Sequence, residues 1–273
     1  MILRNYHTHS TYCDGKDNLE DIVKSAISQG FATIGFSGHS PLPNENWTMT
    51  SEGMKEYCKE VLVLKEKYRH KIEVLLGLEQ DIFSEPPSEN LDFIIGSVHG
   101  IKTPDGILYM DSTADILKAG IEKHFAGDAL SLAEKYYELV GEIVNLTNAD
   151  IIAHLDLLTK FDEKEENPLF DQSNPRYINA VTNAVKKLAS AHKKPLFEIN
   201  TGAIARGYRT TPYPSKAILK IIKDAGCDVV ISSDCHDMRQ LSCSFDEAVS
   251  LAESCGFERL AYLSQGKIEY EYI

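Results

Sequence analysis

Two rhythms of apolar and polar positions alternate along the chain. In "LEDIVKSAISQ", residues 19–29, apolar side chains recur at three- and four-residue spacing, Asp17 and Glu20 flank the start and Gly30 closes the end, which predicts a capped amphipathic helix. The opening "MILRNY" and the later "FATIGFSGH" are short apolar runs that predict buried strands. "HSPLPNENW" reads as a loop and "SEGMKEYCKEVLVLKEKYRH" as a second helix. Further strands are predicted in "IEVLLGLE", "LDFIIGSVH", "ADIIAHLD", "PLFEINTG" and "CDVVISSDCH", and helices over residues 131–145, 175–192, 215–225 and 244–254.

Strands alternating with helices predict parallel βα units. No linker, charge block or repeat divides the 273 residues, so residues 1–273 are expected to form one domain. "KTPDGILYMD" predicts a hairpin or lid, and residues 111–127 a second segment able to cover a site. The longest apolar runs are strand-sized, short of the roughly 20 residues of a membrane helix. The N-terminal stretch lacks the pattern of a signal peptide, and the six cysteines form no CxxC pair, so a cytoplasmic protein with free thiols is expected.

Composition narrows the function. A net charge of −13 argues against nucleic acid as the main partner, because neutralising phosphates requires a basic stripe. Carboxylates gathered around divalent cations count as negative only while the cations are left out.

The chemistry lies at the predicted strand exits. His7 and His9 end the first strand, His39 the second, Glu79 the third, His99 the fourth, His154 the fifth, Asn200 the sixth, and Asp234 with His236 the seventh. The carboxyl ends of parallel strands in a barrel open on one face, where active sites are built. Six of the nine histidines are thereby expected to converge, together with Asp14, Glu79 and Asp234, whereas His70, His124 and His192 fall near helix ends and need no function. Imidazoles and carboxylates packed together are costly without a compensating cation, so these nine residues are candidate metal ligands. They exceed what one tetrahedral zinc uses, which points to two or three divalent ions bridged by carboxylates. Nitrogen and oxygen donors suit zinc, manganese or iron.

"HTHS" with "YCDG", then "SGHS", "GLE", "GSVH", "AHLD" and "SSDCH", resemble the motifs of the polymerase and histidinol phosphatase (PHP) superfamily nearly end to end, and "EINTGAIARGYRTTPYPS" resembles its histidinol-phosphate phosphatase branch. The resemblance implies a distorted (β/α)7 TIM-like barrel and a trinuclear metal centre. It also implies hydrolysis of L-histidinol phosphate to L-histidinol and phosphate in histidine biosynthesis. Carried over by position, it implies that His7, His9, Asp14, His39, Glu79, His99, His154, Asp234 and His236 are the ligands.

The expected mechanism is direct attack by a metal-bridging hydroxide, with Asp234 or His236 moving a proton. Arg206, Arg209 and Lys160 are expected to bind the phosphate, Arg206 foremost. Asp156 and Glu198 are candidates to orient histidine ligands. Asp111 and Asp237 are candidates to meet the substrate amine, while Cys13 and Cys235 are read as packing residues. The partner is a small-molecule substrate, with no nucleic acid and no membrane. The alternatives are a PHP phosphoesterase acting on another small phosphate ester or nucleotide, and a noncatalytic metal-stabilised module.

Overall fold

The computed structural model describes residues 2–164, 166, 168–264 and 266–273. In chain order, β1 (Arg4–Asn5), α1 (Leu19–Ser28), β2 (Thr33–Phe36), α2 (Ser51–Tyr68), β3 (Glu73–Asp81) and β4 (Phe93–Ser97) lead to a hairpin of β5 (Gly100–Thr103) and β6 (Gly106–Tyr109). Next come α3 (Ala114–Phe125), α4 (Ala129–Val140), α5 (Ile143–Thr147), β7 (Ile151–Ile152), α6 (Pro175–Ala189), β8 (Leu196–Asn200), α7 (Gly202–Ala205), α8 (Lys216–Asp224) and β9 (Val229–Ser232). The chain ends with α9 (Phe245–Ser254) and a hairpin of β10 (Arg259–Ser264) and β11 (Lys267–Tyr272).

Strands β1, β2, β3, β4, β7, β8 and β9 lie side by side in that order, each parallel to the next. The first and last strands meet beyond their regular ends: the Cys235 N–H donates to the His7 carbonyl at 3.0 Å and the His9 N–H to the Cys235 carbonyl at 2.8 Å. The sheet is therefore a nearly closed seven-stranded α/β barrel, as the PHP resemblance implies.

Residues at two-residue spacing face the lumen. Its lower layers are apolar: Tyr6, Leu75, Phe93, Ile95, Ile151, Leu196 and Val230 cluster with Ala261 and Leu263 of the terminal hairpin, which plugs the bottom. Phe93 fills the space above Gly77, where an added Cβ would sit 2.3 Å from its ring. Burying such a side chain contributes about 1.5–3 kcal/mol. A second, larger apolar cluster lies between the strands and the surrounding helices.

Several elements differ from the sequence expectation. The helix-capping side chain of α1 is Asn18, accepting from the Asp21 N–H, while Asp17 accepts from the Met238 N–H instead. Residues 131–145 span two helices, because the first ends at Gly141, which lies against Lys187 of α6. The strands predicted in "MILRNY" and "ADIIAHLD" are regular over only two residues each. Helix α3 and the β10–β11 hairpin were not anticipated, whereas the β5–β6 hairpin is present as predicted.

Candidate metal centre

Following the lumen-facing positions upward, three of the strands change character along a two-residue series. In β3 the series runs Leu75, Gly77, Glu79, Asp81; in β4 and its exit Phe93, Ile95, Ser97, His99; in β9 and its exit Val230, Ser232, Asp234. The apolar floor thus gives way to imidazoles and carboxylates at the carboxyl ends. All nine candidate ligands meet there.

Glu79 is the hub. Its Oε2 lies 3.2 Å from His7 Nε2, 3.6 Å from His9 Nε2 and 2.8 Å from His39 Nδ1, and its Oε1 lies 3.3 Å from His99 Nε2 and 3.1 Å from His154 Nε2. Asp234 Oδ1 is 3.2 Å from His9 Nε2. At the mouth, Asp14 Oδ1 is 3.2 Å from His236 Nε2 and 3.5 Å from His39 Nε2. Donor atoms close enough to share an ion fall into three overlapping groups: His9, Asp14, His39 and His236; His7, His9 and Glu79; and His39, Glu79 and His99.

The donor set fits a cation. Among the described residues, His7 Nε2, His9 Nε2, His39 Nδ1 and Glu79 Oε2 are buried and have no hydrogen-bond partner, although they point into one space. Leaving such atoms unsatisfied costs about 1–3 kcal/mol each. Burial alone would raise the Glu79 carboxyl, but His7, His39 and His99 hold it well below the usual carboxylate range. Burial, with His236 and His39 alongside, pulls His9 down to about 3, so its ring is neutral and offers a lone pair. Asp234 adopts a left-handed conformation, φ +47°, against Gly202, where a Cβ would lie 2.8 Å from the Asp234 Cβ. Such backbone is uncommon outside glycine and concentrates at functional sites.

The family model for the PHP domain matches residues 5–202. The chain belongs to the PHP domain family. Its similarity to curated proteins extends beyond that segment. The chain is 26% identical to a probable histidinol-phosphatase of Schizosaccharomyces pombe, over 95% of this chain and 89% of that protein. It is 25% identical to the histidinol-phosphatase of Lactococcus lactis, over 97% and 96%. The crystal structure of histidinol phosphate phosphatase from L. lactis, complexed with zinc, L-histidinol and phosphate, has the same fold, with a TM-score of 0.74, 23% identity and coverage of 97% and 98% of the two chains. In this chain the His/Asp/Glu cluster supplies three donor groups with the spacing to hold a metal ion.

Behind the PHP cluster, Glu198 accepts a hydrogen bond from His7 Nδ1 at 2.7 Å, and also from the Ser232 hydroxyl, the His154 N–H and the Asn200 amide. Glu198 therefore sits where it orients a histidine, as expected of it. Asp156 does not: it accepts from the Ser215 N–H at 2.9 Å. Asp81 takes the corresponding place, 3.0 Å from His99 Nδ1. The signal for it was present in "GLEQD", since Glu79 and Asp81 are two residues apart on one strand face.

A cleft of about 410 Å³ opens above the cluster. Arg206 lines it, donating to the Asp234 carboxylate and carbonyl at 2.9 Å each and to His236 Nδ1 at 2.9 Å. His236 faces the cluster through Nε2, which lies 3.2 Å from Asp14 Oδ1. Lys160 also lines the cleft, its Nζ 3.0 Å from the Asp111 carbonyl and 4.6 Å from the centre of the Tyr208 ring. Arg209, expected to share phosphate binding, is instead buried beside the cleft. It donates to Thr159 and Thr211, pairs with Glu163 at 3.3 Å and stacks over Tyr213. A charged side chain buried this far is held by such partners rather than free for a ligand.

Asp111 lines the cleft, whereas Asp237 is engaged by Arg239 and Lys16. Burial pushes the Cys13 thiol up to about 11 and the Cys235 thiol up to about 12, so neither is a ready thiolate. His70 and His192 are exposed, and His124 pairs with Asp105 at 3.2 Å, all outside the cluster. No helix of the described residues is long and apolar enough to cross a membrane.

Proposed function

We propose that the chain is a metal-dependent phosphatase that hydrolyses L-histidinol phosphate to L-histidinol and phosphate in histidine biosynthesis, with residues 1–273 working as one PHP unit. The observation that carries this reading is the convergence of partnerless buried atoms of His7, His9, His39 and Glu79 beneath an open cleft. The substrate assignment is supported by histidinol-phosphatases matched along nearly the whole chain, and by the L-histidinol and phosphate held by the L. lactis enzyme.

Two or three divalent ions, zinc, manganese or iron, suit the three overlapping donor groups, with Asp234 and His154 adjoining them. Ions bound there supply a hydroxide at neutral pH and positive charge against the phosphoryl oxygens. The chain's own residues prepare that chemistry. Glu198 and Asp81 fix the ring orientations of His7 and His99. The Arg206 guanidinium, beside Asp234 and His236, offers a planar fork to phosphate oxygens, and Lys160 adds charge across the cleft. Asp234 and His236, which line the cleft above the cluster, are the groups proposed to move a proton, activating water or protonating the leaving oxygen. The reading takes a small molecule as partner, and a cytoplasmic setting, where six unpaired thiols persist.

The test is phosphate release from L-histidinol phosphate against a panel of small phosphate esters, with metal-reconstituted protein and His9→Ala. Preference for L-histidinol phosphate, lost in the variant, is expected. Metal-dependent turnover of other esters alone would keep the site and remove the substrate.

A further inference from the structure

The cleft has two chemically different poles. One is the metal cluster with Arg206. The other is a wall formed by the loop after β2 and by the end of β6, carrying Glu45, Trp47 and Tyr109. The Met49 N–H donates to the His39 carbonyl and the Met110 N–H to the His99 carbonyl, so both wall segments are anchored to residues of the cluster. The Trp47 ring stands edge-on to His39 and His99, with centroids 4.7 and 5.2 Å away, and meets Tyr109 at 5.8 Å. One indole therefore separates Glu45 from the candidate ligands.

Four carboxylates line the cleft: Asp14, Glu45, Asp111 and Asp234. Asp14 and Asp234 belong to the cluster, and Asp111 lies 3.5 Å from Lys160. Glu45 differs, for among the described residues no lysine, arginine or histidine nitrogen lies within ion-pair distance of it. Its oxygens accept one neutral donor each, the Tyr109 hydroxyl at 2.6 Å and the Trp47 indole N–H at 2.9 Å. These bonds fix the carboxylate in place and leave each oxygen with further accepting capacity. A fixed anion framed by two aromatic rings is suited to an organic cation, which gains both the ion pair and attraction to the ring faces.

We infer that Glu45, framed by Trp47 and Tyr109, is the specificity-determining group that receives the cationic end of the substrate, a primary ammonium with its neighbouring imidazole, while the phosphate meets the opposite pole. The inference rests on the proposed reading of the substrate. It also replaces the earlier candidates for the amine: Asp111 has Lys160, and Asp237 is held by Arg239 and Lys16.

The experiment measures kcat/KM for L-histidinol phosphate and for glycerol phosphate, whose alcohol is neutral, in wild type and Glu45→Gln, with calorimetric binding of L-histidinol as a second readout. The variant is expected to lose about 10- to 100-fold on the cationic ester, as for a hydrogen bond to a charged group, with a much smaller loss on glycerol phosphate and weaker L-histidinol binding. Equal losses on both esters would reduce Glu45 to a support for Trp47 and overturn the inference. So would a variant that keeps the wild-type preference. Failure of the underlying reading looks different: the wild type itself would then show no preference for L-histidinol phosphate.

Discussion

The lower and upper halves of the barrel lumen are lined by the same strands at the same two-residue spacing, yet they do opposite things. Below, Leu75, Phe93, Ile95 and Val230 bury apolar surface and need nothing further. Above, Glu79, His99 and Asp234 bury groups that water would otherwise solvate, and among the described residues Glu79 Oε2, with His7 Nε2, His9 Nε2 and His39 Nδ1 beside it, has no hydrogen-bond partner. Burial of the first kind stabilises the fold, while burial of the second kind costs stability until a cation supplies the missing interaction. The difference explains how a rigid apolar base holds a polar cluster that would not assemble alone.

Substitutions in the two halves should therefore fail in different ways. Glu79→Gln, at the hub, is expected to lower kcat/KM by about a thousandfold or more, as removal of a central electrostatic group does, while the fold persists by circular dichroism. An active variant would break the contrast from above. Phe93→Ala, in the lower half, is expected to cost about 3–5 kcal/mol in denaturant unfolding, with the kcat of the folded fraction nearly retained. A large kcat loss in stable protein would break it from below. Glu198→Gln sharpens the boundary between the halves: metal affinity should fall by about 10- to 100-fold, measured by competition with a chelating dye, with a smaller effect on stability than Phe93→Ala.

The upper half was the more legible in the sequence. Ligand types at strand exits are conspicuous, because nothing in ordinary packing places six histidines there, and all nine candidates meet in the structure. The residues that surround them were less so. Asp81 escapes notice although its register with Glu79 is readable, and Glu45, Trp47 and Tyr109 come together only through the loop after β2 and the end of β6, distant in sequence. Arg209 shows the limit of reading cations by proximity along the chain: three residues beyond Arg206, it turns into a buried network with Thr159 and Glu163 instead of the cleft. The adjacent capping types Asp17 and Asn18 left the start of α1 ambiguous by one residue. The terminal hairpin lies in tertiary contact with the lumen floor rather than in the βα pattern, which gave no cue to its place.

The most direct test of the account is removal and return of metal in the wild-type chain, following phosphate release from L-histidinol phosphate together with metal content. The account predicts that chelation abolishes turnover and lowers the melting temperature, and that both recover as two to three divalent ions per chain are restored. Full turnover by protein stripped of metal would contradict it.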